Sequence, residues 1–220
     1  MPCKCLYWMV LVLLILTGCD NPIFITQPLS DPMTEEPDQT LYGHWVAKGK
    51  DIGSDIYEGS ELHFFIGASE RTAGPAAQPF MEYVVVLWGA TKSRAYTESG
   101  YMTVSRIGSS SYINVYLLRK DAKDLEHHLL NDEWRYADWS QNKKKLVGIF
   151  RYTVQGNRAT LWRQSEKVQK KLIESGELKN AKGSDISDQQ LVTFDSLFRY
   201  LLKNEGAIHF DLGTSLTRVP

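Results

Sequence analysis

Cysteine is scarce in this sequence. The chain has 220 residues and three cysteines, Cys3, Cys5 and Cys19, all close to the N-terminus. A segment containing the first two is predicted below to be removed, and the third is predicted to carry lipid. The mature chain is therefore expected to have no disulfide, no zinc–thiolate site and no cysteine nucleophile.

The sequence also has no marked excess of charge of one sign. It contains 25 lysines and arginines against 26 acids, and the formal charge is −1. Removing residues 1–18 takes away Lys4 and no acid, so the formal charge becomes −2. This balance favours neither a nucleic-acid surface nor a polybasic lipid-binding patch.

Long apolar runs are missing as well. The longest, Leu6 to Leu16, is shorter than the roughly 20 residues that a transmembrane helix requires. About 200 residues follow it, enough for one domain with a substantial core. Because aromatic residues make up 11% of the chain while apolar runs are short, the composition favours strands.

Common catalytic signatures are absent. The sequence contains no Gly-x-Ser-x-Gly elbow and no His-Glu-x-x-His motif. The stretch from Gly43 to Asp51 only approximates a phosphate-binding loop, because Gly49-Lys50 comes one residue late and Asp51 replaces the magnesium-binding Ser or Thr. We expect neither an enzyme nor a cofactor.

No histidine pattern predicts a metal site. His127 and His128 are adjacent, and adjacent residues on a helix point about 100° apart, so they would not face one ion together. His44 and His63 are expected to be strand residues whose polar groups are satisfied by neighbours.

The N-terminus has the pattern of a signal peptide. Lys4 gives a short positive region, the apolar run follows, and Leu16-Thr17-Gly18-Cys19 closes it. This motif resembles the lipobox of bacterial lipoproteins. The resemblance implies that residues 1–18 are removed and that Cys19 becomes the lipidated N-terminus, which anchors the protein to a membrane.

The residues after the cysteine carry a sorting signal in some lipoproteins. Asp20-Asn21 resembles the signal that retains lipoproteins of enteric-type bacteria in the inner membrane. The resemblance implies a location on the periplasmic face of the inner membrane, and the outer membrane remains the alternative.

Residues 19–40 contain four prolines and several acids and are predicted to be a spacer. At ~3.1 Å per residue in an extended form, they could hold a domain up to ~60 Å from the bilayer. Within them, Ile23 to Thr26 is more apolar than a spacer needs, and two alternatives are open: contact with the lipid interface or packing against the domain.

Residues 41–220 are predicted to form the folded domain. Period-two alternation places Leu62, Phe64 and Ile66 on one strand face, and the same pattern covers 81–88 and 112–117. Turns are predicted at Gly108 to Ser111 and at Gln155-Gly156-Asn157, each joining a β-hairpin.

The pattern becomes helical near the C-terminus. Ser165 is predicted to cap a helix that stops at Gly176, and Ser187-x-x-Gln190 is a capping box before an apolar stripe. A last strand is predicted at 207–212. These elements predict a mainly β fold, an antiparallel meander barrel of about eight strands with two short C-terminal helices.

Gly43-His44-Trp45 matches the Gly-x-Trp pattern that opens the first strand of lipocalins and related calycin barrels. The C-terminal half, from Phe150 to Phe210, is similar to uncharacterised bacterial lipoproteins with calycin-like barrels. The resemblance implies an architecture and no agreed activity. The C-terminal helix of lipocalins has no counterpart, so a lipocalin ligand is not carried over.

Two groups of aromatic residues are candidate sites. An eight-stranded barrel is just wide enough to be filled or to hold one small ligand, and the residues considered for such a cavity are Trp45, Trp88 and Trp162. Aromatic side chains in a polar segment suggest contact with a protein partner in the envelope, and those residues are Trp134, Tyr136 and Trp139.

The sequence therefore supports three hypotheses. The first is a membrane-anchored binding or scaffold module that contacts an envelope partner. The second is a carrier of a small apolar ligand inside the barrel, and the third is an envelope enzyme. A filled barrel would favour the first hypothesis, and an open apolar cavity lined by Trp45 and Trp88 would favour the second.

Overall fold

The structure is a computed structural model that describes residues 23–31, 34–48, 61–68, 81–88, 96–118, 145–181, 191–204 and 210–220. Its strands are β1 (Ile23–Ile25), β2 (Gly43–Lys48), β3 (Glu61–Ala68), β4 (Met81–Trp88), β5 (Tyr96–Ile107), β6 (Ser110–Leu118), β7 (Lys145–Gln155), β8 (Arg158–Arg163) and β9 (Leu212–Val219). A 3-10 helix spans Gln39–Leu41, and two α-helices span Glu166–Glu174 (α1) and Phe194–Lys203 (α2).

Strands β2 to β9 close into an antiparallel barrel. Each pairs with its neighbour along the chain, and β9 pairs with both β8 and β2, which closes the ring. The prediction of an eight-stranded antiparallel meander with two helices is therefore confirmed, and the architecture is consistent with a calycin-like barrel.

The barrel strands follow the predicted alternation. Along β3, Leu62 and Phe64 are buried inside while Phe65 is 44% exposed on the outer surface. Both predicted hairpins form, but with shorter turns than predicted, because Ile107 pairs with Ser110 and Gln155 pairs with Arg158. Gly108 and Gly156 have positive φ in these two-residue turns, a conformation that glycine adopts without steric cost.

Strand β1 fills a gap beside β7. The N-terminal half of β7 pairs with β1, at Ile149 with Ile23 and at Val147 with Ile25. Its C-terminal half, from Arg151 onward, pairs with β8 instead. Strands β1 and β8 therefore share the same edge of β7.

The segment 23–31 packs on the barrel, which is the second alternative left open for its apolar run. Ile23, Phe24, Ile25 and Leu29 are each at most 5% exposed. The Leu29 amide also donates to Asn114 Oδ1 at 3.0 Å. This part of the predicted spacer is not a free, solvated tether, because burying its apolar side chains outweighs the solvation that keeps a proline-rich spacer free.

The helices cover the outside of the barrel with a second apolar core. Leu172 of α1 and Leu197 and Leu201 of α2 pack against outward-facing Tyr112 and Ile149, together with β1. Helix α1 begins at the predicted cap, since Ser165 Oγ accepts from the Val168 amide at 3.3 Å. The buried apolar area on this outer face holds both helices on the strands.

Two elements differ from their prediction. Helix α2 begins after Thr193 rather than at the capping box, because Leu191 and Val192 form bridges to Phe24 and Asn180 instead. The last strand was predicted at 207–212, but β9 begins at Leu212, the last residue of that range, and runs to Val219. Residues 187–190 and 205–209 lie outside the described residues.

Candidate functional site: the barrel interior

Trp45 closes one end of the barrel. Its side chain is fully buried, and its indole Nε1 donates to the Leu41 carbonyl in the 3-10 helix at 2.7 Å. The Arg218 guanidinium lies over the ring, with Cζ 4.4 Å from the centroid, and donates through Nη2 to the Thr40 carbonyl. Trp45 therefore joins the first barrel strand, the last strand and the 3-10 helix.

The 3-10 helix is fixed to the barrel through Asp38. Its Oδ1 accepts from the Thr40 amide at 2.9 Å, and its Oδ2 accepts from the Tyr152 hydroxyl at 2.6 Å. Burial opposes ionisation of Asp38, but the donors from Thr40 and Tyr152 outweigh it and lower the pKa of the carboxyl. Burial, together with the Asp38 carboxylate, raises the pKa of the Tyr152 hydroxyl.

A cavity of about 50 Å³ lies above Trp45 inside the barrel. No charged side chain lines it within the described part of the chain, and the polar side-chain groups among its lining residues belong to Trp45 and Tyr83. The lining residues come from all eight barrel strands and from the 3-10 helix: Leu41, Trp45, Phe64, Ile66, Tyr83, Val85, Met102, Ile113, Val115, Phe150, Ala159, Leu161 and Leu216.

The size of this cavity limits what it can hold. Pockets for small-molecule ligands have volumes of roughly 300 to 1,000 Å³, and an engineered cavity of about 150 Å³ admits benzene. At about 50 Å³, this cavity is well below both. The large side chains of the described lining residues leave little space between them, and a ligand of fatty-acid size requires them to move.

The three tryptophans considered for the cavity occupy different positions in the structure. Trp45 lines it. Trp88 is the last residue of β4, opposite Glu61 in register, and its side chain lies outside the part described. Trp162 lies on the outer face, because the preceding residue, Leu161, faces inward and strand side chains alternate.

Trp162 is held in a stack on the barrel's outside. The Arg151 guanidinium lies over its ring, 4.9 Å from the centroid. On β9, Gly213 is the register partner of Trp162. A Cβ on Gly213 would come within 2.8 Å of the indole nitrogen, so only glycine leaves enough space for the ring. The side chain packs against the outer apolar core, and its assignment to a ligand cavity is corrected to a structural contact.

The remaining predicted site residues lie outside the described residues. They are the lipidation residue Cys19, the sorting residues Asp20 and Asn21, and the partner-contact residues Trp134, Tyr136 and Trp139. The strands that flank the last group, β6 and β7, have Leu118 and Lys145 at the barrel end opposite Trp45. All six assignments stay predictions.

Sequence reasoning missed two groups that the structure shows to be central. Arg218 had no visible motif, and its role depends on a strand that was placed too early. Sequence alternation placed Asn114 on the face of β6 opposite Ile113 and Val115 but gave no sign that the N-terminal segment buries it fully. Its Nδ2 donates to Ser105 Oγ at 2.8 Å while its Oδ1 accepts from Leu29.

Two other kinds of feature are absent from the described ranges. No group of three or more histidine, cysteine and carboxylate side chains converges there as a metal site. None of the helices found in those ranges is long and apolar enough to cross a membrane.

Comparison with known proteins adds no assignment. No protein-family model, no curated protein and no solved structure matches this chain.

Proposed function

We propose that this protein is a lipid-anchored bacterial envelope lipoprotein whose barrel is a binding or scaffold module for an envelope protein. The lipobox motif at residues 16–19 supports the anchor, and Asp20 supports the periplasmic face of the inner membrane. The absence of hydrolase and metalloprotease motifs from the sequence supports a non-enzymatic role.

The filled barrel interior is the observation that carries this proposal. A carrier needs space for its cargo, whereas the cavity above Trp45 has about 50 Å³. Trp45 itself is packed and hydrogen-bonded as a structural residue. A barrel that is packed inside and covered by a second core on its outer face suits a scaffold, which needs a fixed surface.

The packing of β1 changes the geometry of the proposed anchor. With Cys19 lipidated and Ile23 already in the sheet, four peptide steps of at most ~3.6 Å leave about 14 Å between them. The barrel would then lie close to the bilayer rather than ~60 Å away on an extended spacer. Its partner is therefore expected to be membrane-embedded or membrane-proximal.

In-cell photo-crosslinking tests the scaffold proposal. A photoreactive amino acid at position 139 samples the proposed partner contact, and the same amino acid at exposed Thr217 on β9 is the matched control. We expect a discrete adduct in the membrane fraction from position 139 and none from position 217. Equal, diffuse labelling at both positions would argue against a dedicated partner surface.

A second function, transport of a small apolar ligand, is favoured by one observation. The cavity wall is apolar, and such cavities stay dry and accept apolar molecules when they are large enough. Carrier function would require the interior to expand around the ligand. A fluorescent fatty-acid probe that binds saturably at one site per chain would support it.

A further inference from the structure

Helix α2 carries an apolar stripe on the side that does not pack on the barrel. Phe194, Phe198 and Leu202 follow one another at intervals of four residues, so they lie along one side of the helix. The Phe194 and Phe198 rings stack with centroids 5.4 Å apart, and both side chains are half-buried at the edge of the outer core. Leu202 is 55% exposed, the highest value among the large apolar side chains of the described residues. An exposed apolar stripe of this kind indicates a contact surface.

Two cations border this stripe. Successive residues of an α-helix are turned by about 100°, which places Arg199 and Lys203 on one side of Leu202 and the two phenylalanines on the other. Both cationic side chains are exposed. The acid of this helix, Asp195, lies in its first turn, whereas both cations lie in the last two turns. The C-terminal half of α2 therefore has an apolar centre with a positive border.

The proposed anchor brings α2 close to the bilayer, and this step rests on the proposed function. Ile23 shares its apolar core with Leu197 and Leu201, which lie on the buried side of α2. The chain from Cys19 to Ile23 reaches at most about 14 Å. An α-helix with its side chains is about 10 to 12 Å across. The outer side of α2 is therefore about as far from Ile23 as the acylated cysteine can be.

We propose that the outer side of α2 lies on the surface of the bilayer that holds the acyl chains, and that this bilayer is rich in anionic phospholipid. Interfacial helices bury Phe and Leu about 5 to 10 Å into the boundary between headgroups and acyl chains, while Lys and Arg extend to the phosphates. Phe198 and Leu202 enter this boundary, and Arg199 and Lys203 pair with lipid phosphates. The contact fixes the orientation of the barrel, which a scaffold for a membrane-proximal partner requires.

A second exposed apolar side chain provides an internal comparison. Phe65 on β3 is 44% exposed and stacks on the His44 ring with centroids 4.3 Å apart. Strand β3 is four strands from β7 in either direction around the eight-stranded ring, whereas α2 packs on β7. When α2 lies on the bilayer, Phe65 therefore faces away from it.

Quenching by labelled lipid tests this placement. The full-length protein is processed in a bacterial host, purified in neutral detergent and reconstituted into vesicles that contain phosphatidylglycerol and a nitroxide-labelled phospholipid. An environment-sensitive dye is attached to the thiol of Leu202→Cys or, as the matched control, of Phe65→Cys. We expect quenching at position 202 to be at least about threefold stronger than at position 65. Circular dichroism checks that both variants are folded.

Charge reversal tests the role of the two cations. In the Leu202→Cys chain, Arg199→Glu combined with Lys203→Glu should lower the quenching at least about twofold in these vesicles, because acids are repelled by lipid phosphates. Vesicles of phosphatidylcholine are the control, and the effect of charge reversal should be smaller there. Quenching that charge reversal leaves unchanged in both kinds of vesicle would overturn the pairing with anionic lipid.

Mass spectrometry of the same preparation separates failure of the anchor from failure of this contact. Acyl chains on Cys19 together with equal quenching at positions 202 and 65 would overturn the contact alone and favour a protein as the occupant of the stripe. Absence of acyl chains would remove the premise and overturn both the anchor and the contact.

Discussion

Arg218 and Trp45 are register partners on β9 and β2, and the guanidinium of the first lies over the indole of the second. The contact joins the first strand of the barrel to the last one. It also holds the 3-10 helix, because Arg218 and Trp45 donate to its Thr40 and Leu41 carbonyls. Closure of the barrel and closure of its end therefore depend on the same pair.

Replacing Arg218 tests the contribution of this contact. Arg218→Leu removes the cation–π interaction and the donor to Thr40, and we expect a loss of about 1 to 3 kcal/mol of unfolding free energy. Urea denaturation followed by tryptophan fluorescence measures it. Arg158→Leu, on an exposed strand end, should lose at most about 0.5 kcal/mol. Equal losses in the two variants would contradict a special role for Arg218.

Removal of β1 should destabilise the barrel. A chain of residues 34–220 lacks four buried apolar side chains, each of which contributes about 1.5 to 3 kcal/mol when fully buried. This sum is comparable with the total stability of an ordinary domain. Compared with residues 22–220, the shorter chain should melt at a much lower temperature or stay unfolded. Similar melting of both chains would show that the segment is an appendage.

Acid should weaken the attachment of the 3-10 helix. Because the pKa of Asp38 is lower in the folded protein than in the unfolded chain, ionised Asp38 stabilises the fold above its unfolded pKa, near 4. This contribution is lost as the pH falls through the lower, folded value. Asp38→Asn should be less stable by about 1 kcal/mol or less at pH 7, with the difference disappearing in acid.

Exposed Glu36 provides the control for this pH dependence. The stability difference between Glu36→Gln and the unchanged protein should stay small at every pH, since Glu36 is exposed. Urea midpoints measured from pH 7 downward give both curves. A difference for Asp38→Asn that persists below its folded pKa would contradict the assignment.

The proposed anchor depends on Cys19. Cys19→Ala should abolish incorporation of a labelled fatty acid and leave an uncleaved precursor, because the proposed acceptor thiol is gone. A double variant with Cys3→Ala and Cys5→Ala should be labelled normally, since both residues lie in the removed segment. Label retained by Cys19→Ala would remove the basis for membrane anchoring.

The period-two alternation of apolar residues predicted those strands that have one apolar face and one face that is less apolar. In β3, buried Leu62 and Phe64 flank His63, and the pattern is visible because one face is apolar. Strand β9 lacks this contrast, since its buried residues are Thr214 and Leu216 among other small or polar residues. Its position depends on pairing with β2 and β8, which are distant in sequence, so local pattern could not find it.

The residues of the candidate site also divide into those that a local pattern identifies and those that depend on contacts with distant residues. Trp45 was identified because Gly-x-Trp is a local pattern, whereas Arg218 depends on a contact between residues far apart in the chain. Trp162 was assigned to the interior by its residue type, although its strand phase places it outside beside Arg151. Asn114 was missed because a short proline-rich segment covers it. The local sequence around a residue does not indicate that a segment distant in the chain will bury it.

Replacement of Trp45 is the most direct test of a filled structural barrel. Trp45→Ala in residues 22–220 should cost about 3 to 5 kcal/mol of unfolding free energy, because it leaves a large hole at a fully buried position. The unchanged protein should show no saturable binding of a fluorescent fatty-acid probe. Little loss of stability in Trp45→Ala, together with saturable probe binding that the substitution abolishes, would contradict the scaffold account and establish a carrier.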